Sequence, residues 1–249
     1  MGRRAGASGL VPAAADEIDV RLYESADPTR ADGEARYLKS ALTHVGVTVP
    51  GVRKIVRGTM RSHGVTGHDD VVELAGLLWR PAVHESRLAA VEALKYRASV
   101  LDAADLRQIE SMLRAARTWA LVDPLAADVA GAVVSADSSA TATTDRWAGD
   151  DDFWIRRSAL LSQLVALRSG GGDFAHFSRY ADAMLDEREF FIRKAIGWVL
   201  RDTGRRRPQL VEEWLRERPG RVPVLAVREA VKVLPDDVAT ELVAAALRR

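Results

Sequence analysis

Apolar residues recurring three and four positions apart, with almost no alternation over strand lengths, constrain this chain more than any other feature. One run is Phe153, Ile155, Leu160, Leu161, Leu164 and Leu167; another is Phe191, Ile192, Ala195, Ile196, Val199 and Leu200. A third, Val71, Val72, Leu74, Ala75, Leu77 and Leu78, is stopped by Pro81. That period places the apolar side chains on one face of a helix and scatters them over both faces of a strand. Gly33, Gly46 with Pro50, Gly64 with Gly67, Pro81, Gly170 to Gly172, Gly204 with Pro208, Pro219 with Gly220, and Pro235 cut the pattern into ordinary helix lengths. The expectation is an all-α chain of about a dozen helices. Short antiparallel pairs without strands between them suggest a HEAT-like helical-repeat solenoid; an irregular all-α bundle is the other architecture that fits. Residues 1–14, rich in Gly, Ala and Ser, read as a flexible tail, and residues 15–249 as a single domain.

Composition then narrows the chemistry. The 249 residues are 47% hydrophobic and 29% charged, with no cysteine, which removes disulfides, thiolate nucleophiles and Cys-ligated metals. No apolar stretch approaches the roughly 20 residues of a spanning helix, and the basic N-terminus lacks the apolar segment of a secretory signal. A soluble, cytoplasmic protein with no membrane partner is expected. The 36 basic and 35 acidic residues nearly cancel, so any polyanion must be met by local charge. Arg53, Lys54, Arg57 and Arg61 form one acid-free cluster, with Arg53, Arg57 and Arg61 on one helix face. Arg193, Lys194, Arg201, Arg205, Arg206 and Arg207 form a second, broken only by Asp202. They read either as a track for phosphates or as two solvated helix faces.

Gly-x-Ser-x-Gly, His-Glu-x-x-His and phosphate-loop patterns are all absent. The five histidines show no ligand spacing with acids on a shared helix face, so neither metal nor cofactor is expected. Two segments stand out. Trp119 and Asp123 are four apart, which stacks an indole and a carboxylate on one helix face; equally, Asp123 before Pro124 is a normal way to begin a helix, and Trp119 could be core. Lys194 and Trp198 are also four apart, with Arg201 on nearly the same side. Gly197 between them costs a helix on the order of 1 kcal/mol relative to Ala, and so points to a close approach by another helix or a ligand. Arg156 and Arg157 open an apolar helix, where a cation opposes the dipole and needs another reason to be present.

Phe-Trp-Ile-Arg-Arg-Ser-Ala-Leu-Leu from Phe153, Phe-Phe-Ile-Arg-Lys-Ala-Ile-Gly-Trp-Val-Leu-Arg from Phe190, Thr-Trp-Ala-Leu-Val-Asp from Thr118, and the early Ala-Arg-Tyr-Leu-Lys-Ser with Gly46-Val-Thr-Val-Pro together resemble the AlkD-type DNA alkylation repair glycosylases. The match runs in order from about residue 33 to about 220, and Lys-Ala-Ile-Gly-Trp is its most specific part. The resemblance implies a HEAT-like solenoid with a concave basic face that grips duplex DNA and excises cationic alkylpurines such as 3-methyladenine, 7-methylguanine or bulkier N3 and N7 adducts. It assigns Trp119, Asp123 and Trp198 to the catalytic site. Arg157, Tyr37 and Arg53 fall on its DNA-contacting positions, with Lys194 and Arg201 read as further phosphate contacts. Pro124 and the Thr48-Val49 pair depart from the family pattern.

These residue types suit that chemistry. A cationic alkylpurine leaves as a neutral base and needs little acid, while positive charge moves to the sugar. A carboxylate near C1′ opposes that charge and orients water, the role given to Asp123. Each indole face favours a cation by roughly 0.5–2 kcal/mol. Arg157 would grip a phosphate through two hydrogen bonds. The resemblance implies action on a lesion left in the stack, without a flipping pocket. A Schiff-base role for Lys194 fits less well than a phosphate contact. The partner expected is double-stranded DNA containing alkylated purines, met by a monomer. A catalytically silent DNA-binding relative and a protein-binding solenoid are the competing readings.

Overall fold

The computed structural model describes residues 9–248, and among them every regular element is helical; the sole β feature is an isolated bridge between Thr43 and Val83. The chain divides into two compact units, one up to Leu125 and one from Ala126.

The first unit holds α1 (Leu10–Glu24), α2 (Pro28–Leu38), α3 (Val49–Ser62), α4 (His68–Trp79), α5 (His84–Tyr96), α6 (Leu106–Ala116) and α7 (Trp119–Pro124). Helix α1 shows the rule at work: Val11, Ala14, Ala15, Ile18 and Leu22 are buried along one stripe, while Val20 and Tyr23 face outward. It begins at Leu10, so composition overstated the tail. Residues 10–14 are helical because Val11 and Ala14 have a core to enter; residues 1–8 of the expected tail lie outside the described residues. Gly33, read as a break, lies inside α2, which the Asp27 cap and Pro28 at its first position set up. Helix α5 is the centre of the unit. Residues His84 to Leu94 are buried apart from Arg87, and α3, α4 and α1 pack on it. Its buried polar groups are tied down from other elements: Ser86 Oγ donates to Asp19 at 2.7 Å, and Glu85 accepts from the Val45 and Gly46 amides.

The second unit opens with a π-helical segment, Leu125–Ala130, whose first residue closes the preceding unit. It continues with α8 (Gly131–Ala136), α9 (Thr141–Ala148), α10 (Phe153–Leu161), α11 (Leu164–Arg168), α12 (Phe174–Ala183), α13 (Phe190–Gly204), α14 (Pro208–Arg216), α15 (Val224–Ala230) and α16 (Asp236–Leu247). Here α13 is central, packing on α10, α11, α14 and α15 through Ile192, Ala195, Ile196, Val199 and Leu200. Gly197 resolves as a close approach between helices: a methyl there would lie 2.7 Å from Glu229 Cβ and 2.8 Å from the Ala226 carbonyl oxygen on α15. Gly170 and Gly172 take left-handed φ values of +88° and +70° in the linker between α11 and α12.

The helical stretch Trp119–Ala136, 18 residues, is long and apolar enough to cross a membrane by those criteria alone, contrary to the expectation from sequence. Half of it is buried in the protein, as in a core helix, and it carries Asp123 and Asp128.

Candidate functional site

In the first unit the candidate residues are set by two helix ends. Arg117, at φ +47°, closes α6 in the left-handed region, and Thr118 turns extended before Trp119 opens α7. With no preceding turn of its own helix to cover it, the Trp119 indole stays 36% exposed. Lys39, at φ +49°, closes α2 in the same way and leaves Tyr37 in its last turn, 73% exposed. The two rings meet edge to face with centroids 6.0 Å apart, a favoured aromatic geometry.

Asp123 is not a helix cap. It lies within α7, one turn beyond Trp119 on the same face and partly exposed, and Thr118 holds the cap position. Pro124 lies inside the helix as well. It cannot donate to the Ala120 carbonyl and its ring crowds that oxygen, so the turn widens, and the π-helical residues follow directly. The departure at Pro124 is thus taken up by the backbone immediately after Asp123.

Arg53 is engaged within the fold. Its Nε and Nη2 donate to the two oxygens of Glu92 at 2.8 and 3.0 Å, and Glu92 is only 2% exposed on α5. Lys54, Arg57 and Arg61 are the exposed members of that cluster, with Arg57 lying over the Tyr96 ring at 5.1 Å. Thr48 caps α3, its Oγ1 accepting from Gly51 N at 3.2 Å, which accounts for a small polar residue there.

In the second unit the two arginines of α10 explain themselves. Arg156 pairs with Glu187 through bonds of 2.6 and 2.8 Å and donates to the Asp150 and Asp151 carbonyls. Arg157 is 4% exposed; its guanidinium donates to the Phe191 carbonyl and lies over the Phe191 ring at 5.7 Å. The phosphate grip expected of Arg157 needs an accessible fork, and here that fork ties α10 to the first turn of α13.

Lys194, Trp198 and Arg201 share one side of α13 as their spacing predicts, gathered around two buried carboxylates. Lys194 Nζ donates to Glu229 Oε2 at 3.3 Å, and Arg201 and Lys232 also pair with Glu229. Burial pushes the Glu229 carboxyl up, but the hydrogen bonds from Lys232 and Lys194 and the charge of Arg201 outweigh it and hold it below the ordinary range. Trp198, partly exposed, donates through Nε1 to Asp202 Oδ2 at 3.2 Å, and Asp202 also takes Arg168 at 2.6 Å and Arg201 at 3.1 Å. The acid that interrupts the basic run is therefore its anchor.

The structure brings Tyr37 to Trp119, Lys194 and Arg201 to Glu229, and Trp198 and Arg201 to Asp202. Sequence reading passed over Tyr37 as the aromatic partner of Trp119 and over Glu92 and Glu229 as the carboxylates that set the basic side chains. The signal available for Glu92 is its place in the apolar run Leu88-Ala-Ala-Val-Glu-Ala-Leu of α5. Among the described residues, two groups of side chains offer metal-ligand geometry: Glu34, His44 and Glu85, and His68, Asp102 and Asp105. In the second, His68 Nε2 lies 3.0 Å from Asp105, and hydrogen bonds to Asp69 and Asp105 raise its pKa.

Comparison with known proteins bears on the fold and the family. A solved structure of a protein described as a predicted DNA alkylation repair enzyme from Enterococcus faecalis is similar at a TM-score of 0.72 and 22% identity, covering 85% of this chain and 98% of that one, which establishes a shared fold. No curated protein matches the chain. The family described as DNA alkylation repair enzyme matches residues 18–234. The chain belongs to the DNA alkylation repair enzyme family.

Proposed function

We propose that the chain is a monofunctional DNA glycosylase of base excision repair, hydrolysing the N-glycosidic bond of cationic N3- and N7-alkylpurines in duplex DNA while the lesion stays out of any flipping pocket. The observation that carries the reading is the exposed Trp119 indole, edge-on to Tyr37, with the Asp123 carboxylate one helical turn along the same face. An electron-rich ring and an anion on one face suit a sugar gaining positive charge, and Asp123 would orient the attacking water. Trp198, held by Asp202, supplies a second indole in the same reading. Within the two basic clusters, Lys54, Arg57, Arg61, Arg205 and Arg206 are exposed cations available to phosphates; Arg53, Lys194 and Arg201 contribute from their ion pairs. HEAT-like stacking of helix pairs, a monomeric state and a cytoplasmic, nucleoid-associated location belong to the same proposal.

The test is release of free base from duplex DNA carrying 7-methylguanine. Asp123→Asn should lower the rate by about 10²–10³-fold, in line with loss of one electrostatic stabiliser. Absence of release by the unaltered protein, or equal rates for the variant, overturns the reading. The burial of Arg157 against Phe191 favours one competitor, a catalytically silent binder of DNA structure. That competitor gives salt-sensitive duplex binding with no base release from any alkylated substrate.

A further inference from the structure

We propose that Glu34, His44 and Glu85 form a site for a divalent transition-metal ion of the zinc class. The three side chains come from α2, the loop before α3 and the first turn of α5, and one ligand atom from each lies within 4.8 Å of the other two. His44 Nδ1 and Glu34 Oε2 are 3.9 Å apart, too long for a hydrogen bond. Metal bonds of about 2.0–2.2 Å in a tetrahedral shell put neighbouring ligand atoms roughly 3.4 Å apart, so the His44–Glu34 pair needs to contract by about half an ångström and no pair in the group by more than about 1.4 Å.

The second observation is independent of that spacing. The His44 side chain is 1% exposed, and neither ring nitrogen has a hydrogen-bond partner; Glu34 Oε2 is likewise buried and unpartnered. Buried polar atoms in native proteins are nearly always satisfied, and the His44 Nδ1 that faces Glu34 Oε2 across 3.9 Å, with no hydrogen bond made by either atom, calls for a group in that gap.

The surroundings hold the ligands as a metal site requires. Both Glu85 oxygens accept backbone amides, Val45 N at 2.9 Å and Gly46 N at 2.5 Å, which fixes the carboxylate and leaves each oxygen a further lone pair. Arg30 holds the Oε1 of Glu34 at 3.2 Å and turns Oε2 inward. The His84 ring stacks on His44 at 4.5 Å and 12°, setting the imidazole plane. One imidazole nitrogen with two carboxylates suits zinc, cobalt or manganese better than magnesium or calcium, which prefer oxygen alone. The site would clamp α2 and its loop onto α5. Glu34 is one helical turn from Tyr37, so the clamp would also steady that ring; the proposal does not depend on the glycosylase reading.

The experiment is titration of the chelator-treated full chain with Zn²⁺ by calorimetry, with Co²⁺ absorption as a report of nitrogen and carboxylate ligation. One equivalent should bind and raise the melting temperature. His44→Ala should abolish binding, and Glu34→Gln, at a side chain already 18% exposed and so tolerant of change, should weaken it by at least about tenfold. His68→Ala, which removes the other acid-histidine group, should bind as the unaltered chain does. No binding, binding that survives both His44→Ala and Glu34→Gln, or binding lost only in His68→Ala overturns the proposal.

Discussion

Replacing Gly197 by alanine tests the close approach of α13 and α15. Propensity alone favours the change by up to about 1 kcal/mol, because glycine is the poorest ordinary residue in a helix interior. Packing opposes it. The new methyl would lie 2.7 Å from Glu229 Cβ, 2.8 Å from Ala226 O and 3.0 Å from Ala226 Cα, and two of those atoms are backbone that no rotamer change can move. Overpacking costs about 1–3 kcal/mol, and contacts with fixed backbone put this one in the upper half of that range, so the net expectation is a loss of about 1–2 kcal/mol and a melting temperature lower by about 2–8 °C. Gly58 in α3 is the control. A methyl there meets only the tip of the flexible Arg21 side chain at 3.8 Å, so Gly58→Ala keeps the propensity gain of up to about 1 kcal/mol and melts higher. Thermal and urea unfolding of both variants, followed by helical circular dichroism, give the two signs. If Gly197→Ala is neutral or stabilising, or if the two variants shift together, the packing explanation is wrong. Glu229 moves with α15, so a destabilised Gly197→Ala should also bind duplex DNA less tightly, through the loosened Lys194 and Arg201.

Arg53→Ala leaves Glu92 buried beside Lys95 at 3.8 Å without its bidentate partner, and should cost about 1–3 kcal/mol, reduced from the value for a fully buried pair because the arginine is 39% exposed. Lys54→Ala, on the exposed side of the same helix, should stay within about 0.5 kcal/mol; equal effects in urea titrations would refute a structural role for Arg53. Asp182 is held below the ordinary carboxylate range by hydrogen bonds of 2.7 and 2.9 Å from Arg218. Because its folded pKa lies below its unfolded one, its contribution is complete above about pH 4 and is lost as the pH falls through the folded value. Asp182→Asn should accordingly cost about 0.5–1 kcal/mol at neutral pH and progressively less as the pH falls through the folded value, as read from the difference between the two stability–pH curves. Duplex binding should weaken steeply from 50 to 200 mM salt, and Arg57→Ala with Arg61→Ala should flatten that slope by about one to two counter-ions.

The helical period made α10 and α13 legible residue by residue, since each buries one face against neighbours of the same kind. Helix α5 was not legible in that way: acids, a histidine and a serine sit among its buried residues, and their partners arrive from α1, α3 and the loop before α3. Pro124 shows the same limit. After an aspartate it favours the start of a helix, yet Thr118 already provides that start, and the backbone takes the proline by widening into a π turn instead. Trp119 and Asp123 could be paired from their spacing alone. That Tyr37 would complete the aromatic edge depends on how α2 and α7 pack, which no local pattern encodes.

Charge gives the deeper lesson about the site. Read along the chain, the basic runs look like free cations waiting for phosphate. In the fold the innermost of them close on buried acids: Arg53 on Glu92, Lys194 and Arg201 on Glu229, and Arg168 and Arg201 on Asp202. Each acid fixes long side chains that would otherwise lose rotamer freedom when a ligand ordered them. Five cations, Arg168, Lys194, Arg201, Arg205 and Lys232, surround the two carboxylates Glu229 and Asp202, so the group stays positive overall. A surface built this way offers a polyanion an already ordered, net positive contact while the chain as a whole remains close to neutral. The buried acids are therefore part of how this protein would meet DNA, since they set where its positive charge is held.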